Sequence, residues 1–478
     1  LLLSFKKEDS SFSVPGGGFV KFVVVFCLLA AAPACAVSLP PDQQARIDAA
    51  AEQALRLTGV PGASVAVVKD GRTVMLRAYG LARLQPPTPV TTGMAFPIGS
   101  VSKQFTASLV LLLQQDGKLS LDDKVSRFLP QLTRANEVTI RELLSHTSGY
   151  QDFWPEDYWK LEFAHPTTPL AVAERWGRQK LDFTPGTAWQ YSNTGYAIAA
   201  LIAEKAGGAP FFTQLRQRIF TPLGMNHLGD YNADGVPAGG PVGYERYGFG
   251  PPRPAPLDSP GWSFGSGSLA MPASDLARWD ISVMDRSLLS AASYRALETE
   301  VMLKDGKGTG YGLGVELGSR AGHRFIEHSG EETGFVSENI VFPDDRDAVV
   351  VLTNQDASRA ARLIARQITP IAFGIPAAAP ADPRVAEVLA MLAGLAQGHV
   401  DAARLNGAAQ AYFSPQVVAD YRDSLAPLGP PLAARERSHE DRGGMVFHVY
   451  DVTYAARDVT VTTYELPGGK LDQFLIEP

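Results

Sequence analysis

The order of apolar and polar positions predicts most of the elements of this chain. Residues 42–58 place their apolar side chains along one helical face and read as an amphipathic helix. Residues 63–69 and 74–80 then read as two strands of a hairpin around Asp70-Gly71, a dipeptide suited to a tight turn. An extended segment ending Ala95-Phe96-Pro97-Ile98-Gly99 gives way to an apolar run over 105–113, which predicts a buried helix. Helical spacing returns over 197–206, 210–219 and 273–284. Residues 312–317, 324–328, 337–342 and 348–353 alternate or run apolar and read as strands. No internal repeat is apparent.

A proline- and alanine-rich stretch over 374–383 predicts a stiff linker, assigned to residues 376–383. Beyond it, 384–425 reads as mostly helical, and 445–454, 458–466 and 471–476 as an antiparallel meander. The expected division is therefore a targeting segment over 1–36, a main domain over 37–375, and a small α+β accessory domain over 384–478. The accessory domain carries no catalytic pattern and is expected to stabilise rather than to recognise.

Composition narrows the class. A chain of 478 residues, 45% hydrophobic and 19% charged, can bury a large core in two domains. Lys21 precedes an apolar run over 22–32 that ends in Ala34-Cys35-Ala36, a small-residue cleavage pattern. Export to the periplasm or medium is expected, with translation starting near Val20 and no transmembrane span in the mature form. A lipid anchor at Cys35 is the alternative. Cys27 and Cys35 are the only cysteines, so removing the segment leaves no thiol for catalysis or disulfides. A formal net charge of −7 without basic runs argues against nucleic-acid binding.

The chemistry centres on Ser100-Val101-Ser102-Lys103. Residues three apart share a helix face, so Lys103 can reach the Ser100 hydroxyl and act on a weak nucleophile as a nearby base. This spacing is common by chance and gains weight from Tyr191-Ser192-Asn193 and His328-Ser329-Gly330 further on. Lys103 and Tyr191 are both candidate bases, and the sequence does not apportion the role between them. A tyrosine, with an unperturbed pKa of about 10, serves only if a cation such as Lys103 stabilises its phenolate or the pair shuttles one proton. Asn193 offers a donor and an acceptor, suited to holding both Lys103 and a substrate amide.

Together these three motifs resemble the active site of the serine beta-lactamase and penicillin-binding superfamily, and its class C beta-lactamase-like branch in particular. Leu143-Leu144-Ser145-His146-Thr147-Ser148-Gly149, Phe183-Thr184-Pro185-Gly186, Pro222-Leu223-Gly224-Met225 and Leu352-Thr353-Asn354 look like landmarks of that branch. The resemblance implies an α/β (α+β) fold of the beta-lactamase/DD-peptidase type: an antiparallel sheet flanked by helices, an inserted all-helical lobe, and a cleft between them. It implies catalysis by Ser100, Lys103 and Tyr191, and substrate binding by Asn193, His328, Ser329 and Gly330. The backbone N–H groups of Ser100 and Glu331 would form the oxyanion hole. His328-Ser329-Gly330 is expected on an edge strand, with Gly330 letting substrate backbone approach closely.

Class C beta-lactamases carry Lys-Thr-Gly at this third motif. A histidine that is largely neutral near pH 7 weakens the grip on a beta-lactam carboxylate. The expected activity is an exported serine hydrolase working through a Ser100 acyl-enzyme on a peptide, amide or ester. The alternatives are a penicillin- or peptidoglycan-binding sensor with negligible turnover, and a beta-lactamase. No Glu-x-x-Leu-Asn deacylation motif is found; Arg404-Leu405-Asn406 is the nearest fragment.

Rival residues have plainer readings. Gly261-Trp262-Ser263-Phe264-Gly265 fits a nucleophile elbow, but proline-rich text precedes it and glycine-rich text follows, so a turn abutting the site is expected. Asp275 reads as a first-turn carboxylate of the next helix. His146 reads as a hydrogen-bonded structural residue. Trp154, Tyr158 and Trp159 read equally as an aromatic wall over the cleft or as a loop packed on its own rings. His323 and His328 lack metal-ligand spacing, so neither metal nor cofactor is expected.

Overall fold

The computed structural model describes residues 38–154, 161–246, 251–376, 383–442 and 445–477. The expected targeting segment, Cys27, Cys35 and most of the expected linker lie outside the described residues. The main sheet contains β1 (Gly62–Lys69), β2 (Arg72–Arg83), β3 (Glu316–Arg320), β4 (His323–Glu332), β5 (Phe335–Phe342) and β6 (Asp347–Thr353). With the two-residue stretch Thr88–Pro89 at one edge, its seven strands run in the order Thr88–Pro89, β2, β1, β6, β5, β4, β3. Every pairing is antiparallel. Asp70 and Gly71 both take positive φ, which matches the twist of the β1–β2 hairpin.

The central strands β1 and β6 are buried on both faces, which is why they read as unbroken apolar runs. Val65, Val67, Val349 and Val351 face the helices α1 (Pro41–Thr58) and α8 (Ala360–Phe373) through Ile47, Ala51, Ile364 and Ile368. Each such valine or isoleucine contributes about 1.5–3 kcal/mol when fully buried. Ala66, Val68, Val350 and Leu352 belong to the larger core on the other face. That core holds α2 (Lys103–Gln115), α3 (Ile140–Leu144), α4 (Pro169–Gly177), α5 (Asn193–Gly207), α6 (Phe211–Leu215) and α7 (Ala273–Asp285). All of α2 from Lys103 to Leu113 is buried, as expected for a helix apolar on every side.

Three expectations need correction. The strand expected over 312–317 starts only at Glu316. Leu313 and Val315 are buried in irregular backbone, because Gly314 at φ 77 lies against the Lys103 carbonyl and Gly314 N–H bonds to Leu144 O. The strand carrying His328 is not the sheet edge, since β3 lies outside it. However, β3 ends its pairing at Glu316 opposite Glu327, so residues 328–332 bond to β5 alone on that sheet. The third correction is an additional strand, β7 (Ala433–Arg442), in text rich in charge. It is the outer member of a four-stranded sheet with β8 (Met445–Thr453), β9 (Asp458–Glu465) and β10 (Leu471–Glu477), where polar side chains are the rule.

This second sheet, with α9 (Pro383–Ala396) and α10 (Pro415–Leu425), encloses its own apolar cluster around Leu392, Leu395, Val452, Val461 and Phe474. Arg359, just before α8, donates to Thr453 Oγ1 at 3.0 Å and pairs with Asp458.

Candidate active site

Ser100 lies in a single 3-10 turn, Gly99–Ser102, that leads into α2. Gly99 takes φ 51, and a Cβ there would stand 2.5 Å from Glu331 N, so only glycine lets the turn touch β4. The next turn of helix carries Lys103, which is wholly buried. Its Nζ lies 2.8 Å from Ser100 Oγ, 2.8 Å from Asn193 Oδ1 and 2.9 Å from Ser266 O. Burial lowers its pKa to about 7, against the opposing pull of Asp152 and Glu332.

The second motif is organised by a helix start. Ser192 caps α5, accepting from Gly195 N, which leaves Tyr191 just before the helix and Asn193 in its first turn. His146, at φ 60 immediately after α3, holds this segment: its Nδ1 accepts from Ser192 N at 3.0 Å and its carbonyl accepts from Gln190 N. The accepting Nδ1 places the ring proton on Nε2. Burial and the nearby Lys103 push its pKa well down, so it is neutral. Its ring packs against that of Tyr191, tilted by 32° with centroids 4.2 Å apart. Burial raises the Tyr191 pKa, and a hydrogen bond with Ser100 only partly offsets this.

The third motif lies across the cleft. His328 is buried; its Nδ1 donates to Ser329 O at 2.5 Å, so Nε2 accepts from Tyr311 OH at 2.8 Å. Burial, then Lys103, lower its pKa to about 3. Gly330 lines the cavity, but its missing side chain serves a different contact from the one expected. A Cβ there would meet Ile98 O at 2.0 Å and Ser337 Oγ at 2.5 Å, so the glycine seats β4 against the strand that leads to Ser100.

Ser100, Tyr191, Asn193, His328, Ser329 and Gly330 all line one cavity of about 1000 Å³. The rival Ser263 also lines the cavity, in a turn and not at a strand-to-helix elbow, and its hydroxyl donates to Glu332 Oε2 at 3.1 Å. The turn still matters, because Ser266 O receives Lys103 and Gly265 O receives Thr106 Oγ1 at 2.7 Å. Asp275 lies in the first turn of α7 and accepts from His227 N. Trp154 lines the cavity and packs on Phe163, whereas Tyr158 and Trp159 lie outside the described residues.

With this geometry in place, comparison with known proteins decides the family. Residues 47–373 match the beta-lactamase family model. The chain belongs to the beta-lactamase family. Over 340 residues it is 30% identical to penicillin-binding protein 4* of Bacillus subtilis strain 168, covering 67% of this chain and 74% of that one. A D-aminopeptidase of Cereibacter sphaeroides is 30% identical over 309 residues, 62% of this chain and only 57% of that relative's length. Among solved structures, a D-stereospecific amidohydrolase from Streptomyces superposes with a TM-score of 0.59 at 25% identity, over 69% of this chain and 98% of that one. An octameric penicillin-binding protein homologue from Pyrococcus abyssi shares the fold over 88% of this chain and 96% of its own, at a TM-score of 0.61 and 20% identity. The architecture is thus the beta-lactamase/DD-peptidase fold, and the chain is a serine hydrolase of that family.

Two carboxyls of this beta-lactamase-family site, the half-buried Asp152 and the buried Glu332, escaped sequence reasoning. Asp152 accepts from Asn193 N at 2.9 Å and from Asn193 Nδ2 at 3.2 Å, so the amide expected to grip substrate is turned towards Asp152. Glu332, beside the expected oxyanion residue, is pushed well up by burial. Neither sits at a spacing that marks it. Arg435 of β7, in the second sheet, lines the same cavity as Ser100.

Proposed function

We propose that this protein hydrolyses a peptide or amide through an acyl-enzyme on Ser100, with Lys103 as the base. The contact that carries this reading is Lys103 Nζ to Ser100 Oγ at 2.8 Å, on an amine whose pKa is lowered to about 7. A neutral amine donates to Asn193 Oδ1 and Ser266 O and turns its lone pair to the Ser100 hydroxyl. Ser100 Oγ attacks the carbonyl carbon as its proton passes to Lys103. The carbonyl oxygen, now negative, is held by the N–H groups of Ser100 and Glu331. Collapse breaks the C–N bond, and the amine leaves with a proton relayed from Lys103 through the Tyr191 phenol, which stays protonated in its buried setting. Water then attacks the ester by the same proton route.

The substrate we infer is an amide or peptide of a D-amino acid, the class named for the D-aminopeptidase and the D-stereospecific amidohydrolase that the chain resembles. The outer edge of residues 328–332, left open where β3 ends, is suited to backbone pairing with an extended substrate. A neutral His328 offers a substrate carboxylate no charge, and the cavity lining carries both carboxyl groups, at Asp152, Glu316 and Glu338, and guanidinium groups, at Arg359, Arg362 and Arg435. We further propose that residues 37–375 form the hydrolase domain and 384–478 an accessory domain, and that residues 20–36 direct export.

The test is to incubate the protein and its Ser100→Ala variant with D-aminoacyl p-nitroanilides and with a penicillin, following product release and intact mass. Turnover of the anilides that vanishes in Ser100→Ala supports the reading. A lasting penicillin adduct with no turnover of any amide would replace it with a sensor, and fast release of opened penicillin with a beta-lactamase.

A further inference from the structure

A second cluster of chemically capable side chains lies in the accessory sheet, outside the Ser100 cavity. His439 of β7 and His448 of β8 are cross-strand partners, directly opposite in the hairpin register. Their side chains therefore emerge on one face of the sheet. Glu436 is three residues before His439 and would ordinarily face the other way. The register shifts between Glu436 and Ser438, and this bulge returns the carboxylate to the face of the two imidazoles, while Arg437 pairs with Asp451. Glu436 Oε1 lies 2.7 Å from His448 Nδ1 and 3.1 Å from His439 Nδ1, and the ligand atoms of all three residues lie within 4.8 Å of one another.

The second observation concerns the far nitrogen of His448. The residue is 1% exposed, and its Nε2 makes no hydrogen bond; the Glu465 carboxylate stands 3.5 Å away, itself paired with Arg384. A neutral ring that donates from Nδ1 to Glu436 points a bare lone pair at a carboxylate. A cation bound at Nδ1 reverses this, because Nε2 then carries the proton and faces Glu465 as a donor. That is the carboxylate–histidine–metal arrangement, in which the outer carboxylate fixes the ring tautomer.

We propose that Glu436, His439 and His448 form a binding site for a divalent ion of the zinc type, with Glu465 as the outer-sphere partner of His448. Two imidazoles and one carboxylate are a donor set that zinc accepts, with water in the fourth position on the exposed side of His439. Tetrahedral ligands at about 2.0–2.1 Å from zinc stand roughly 3.3 Å apart, so Glu436 Oε1 would draw back from His448 Nδ1 by about 0.6 Å, and the two imidazole nitrogens, which lie within 4.8 Å of one another, would close by up to about 1.5 Å through side-chain rotation. The ion would staple β7, the outer strand of its sheet, to β8. It would also fix the strand whose Arg435, next to Glu436, reaches the substrate cavity.

The competing state is a protonated His448 held between two glutamates without metal, and zinc binding separates the two. The full-length protein, stripped with a chelator, is titrated with ZnCl2 by calorimetry, and its melting temperature is followed in parallel. The expected result is one equivalent bound with a rise in melting temperature. The exposed-residue variant His439→Ala, checked for native circular dichroism, should bind at least about tenfold more weakly, and Glu465→Gln should weaken binding about tenfold through the outer sphere. Absence of binding by the wild type, or equal binding by His439→Ala, overturns the proposal. None of these readouts depends on Ser100 chemistry.

Discussion

Lys103 Nζ stands 2.8 Å from Ser100 Oγ at the end of a wholly buried side chain, so the proton equilibrium of one amine sets the reactivity of the hydroxyl. Burial lowers the Lys103 pKa to about 7, and only the neutral amine can take the Ser100 proton. For substrates limited by acylation, kcat/KM should therefore rise with pH and level off above a midpoint near 7. Lys103→Ala should lose roughly 10²–10⁴-fold in kcat/KM at pH 8. A pH–rate profile with no ionisation between pH 6 and 8 would exclude Lys103 as the base.

Asp152 tunes that midpoint. Its carboxylate raises the Lys103 pKa against the larger effect of burial and receives both N–H groups of Asn193. Asp152→Asn removes the charge, so the Lys103 midpoint should move to lower pH. It also presents an amide to an amide, so kcat should fall by about tenfold or more as Asn193 loses its orientation. The two effects are read from one pH–rate profile.

His328 couples the fold to acid. Its pKa is lowered to about 3 in the folded protein, against about 6.5 unfolded, so the unfolded chain binds more protons between these values. Stability present above pH 6.5 is lost as pH falls towards 3, by an order of a few kcal/mol from this group. His328→Gln should flatten the melting temperature between pH 6.5 and 4 and leave the rate midpoint near 7 unchanged.

Gly330→Ala should destabilise by more than about 2 kcal/mol in urea unfolding, because the added methyl meets the Ile98 carbonyl at 2.0 Å and neither strand can yield. If the glycine served only substrate approach, stability would be unchanged and KM alone would rise.

Arg435→Ala should leave the melting temperature within about 1 °C and raise KM several-fold for substrates long enough to reach the accessory sheet, with little change in kcat. Single D-aminoacyl amides serve as the short control.

Legibility in the sequence followed the range of the interaction. Ser100 and Lys103 share one helical turn, and Tyr191 and Asn193 flank a serine cap, so local rules were enough to place them. The apolar runs of α2, β1 and β6 were equally plain because burial on all sides leaves no polar interruption. Asp152 was not legible, since its partner Asn193 is brought to it only by the tertiary fold. The reach of Arg435 into the cavity was hidden for the same reason. Leu313 and Val315 were misleading because apolar residues can fill a core without extended pairing. The charged strand β7 was missed because an outer strand gives no alternation to detect. His439 and His448 were passed over because a search for helical spacing ignores residues that a hairpin sets side by side.

The placement of β1 has a consequence for biosynthesis. Its residue Ala63 pairs with Thr353, so one side of an early strand waits for a partner made almost at the end of the main sheet. Until that segment leaves the ribosome, the hairpin of β1 and β2 carries an unsatisfied apolar edge, and contacts so distant along the chain close slowly. A nascent or truncated chain ending before β6 is thus committed to remaining incomplete, and its survival in the cell rests on whatever shields that edge in the interval.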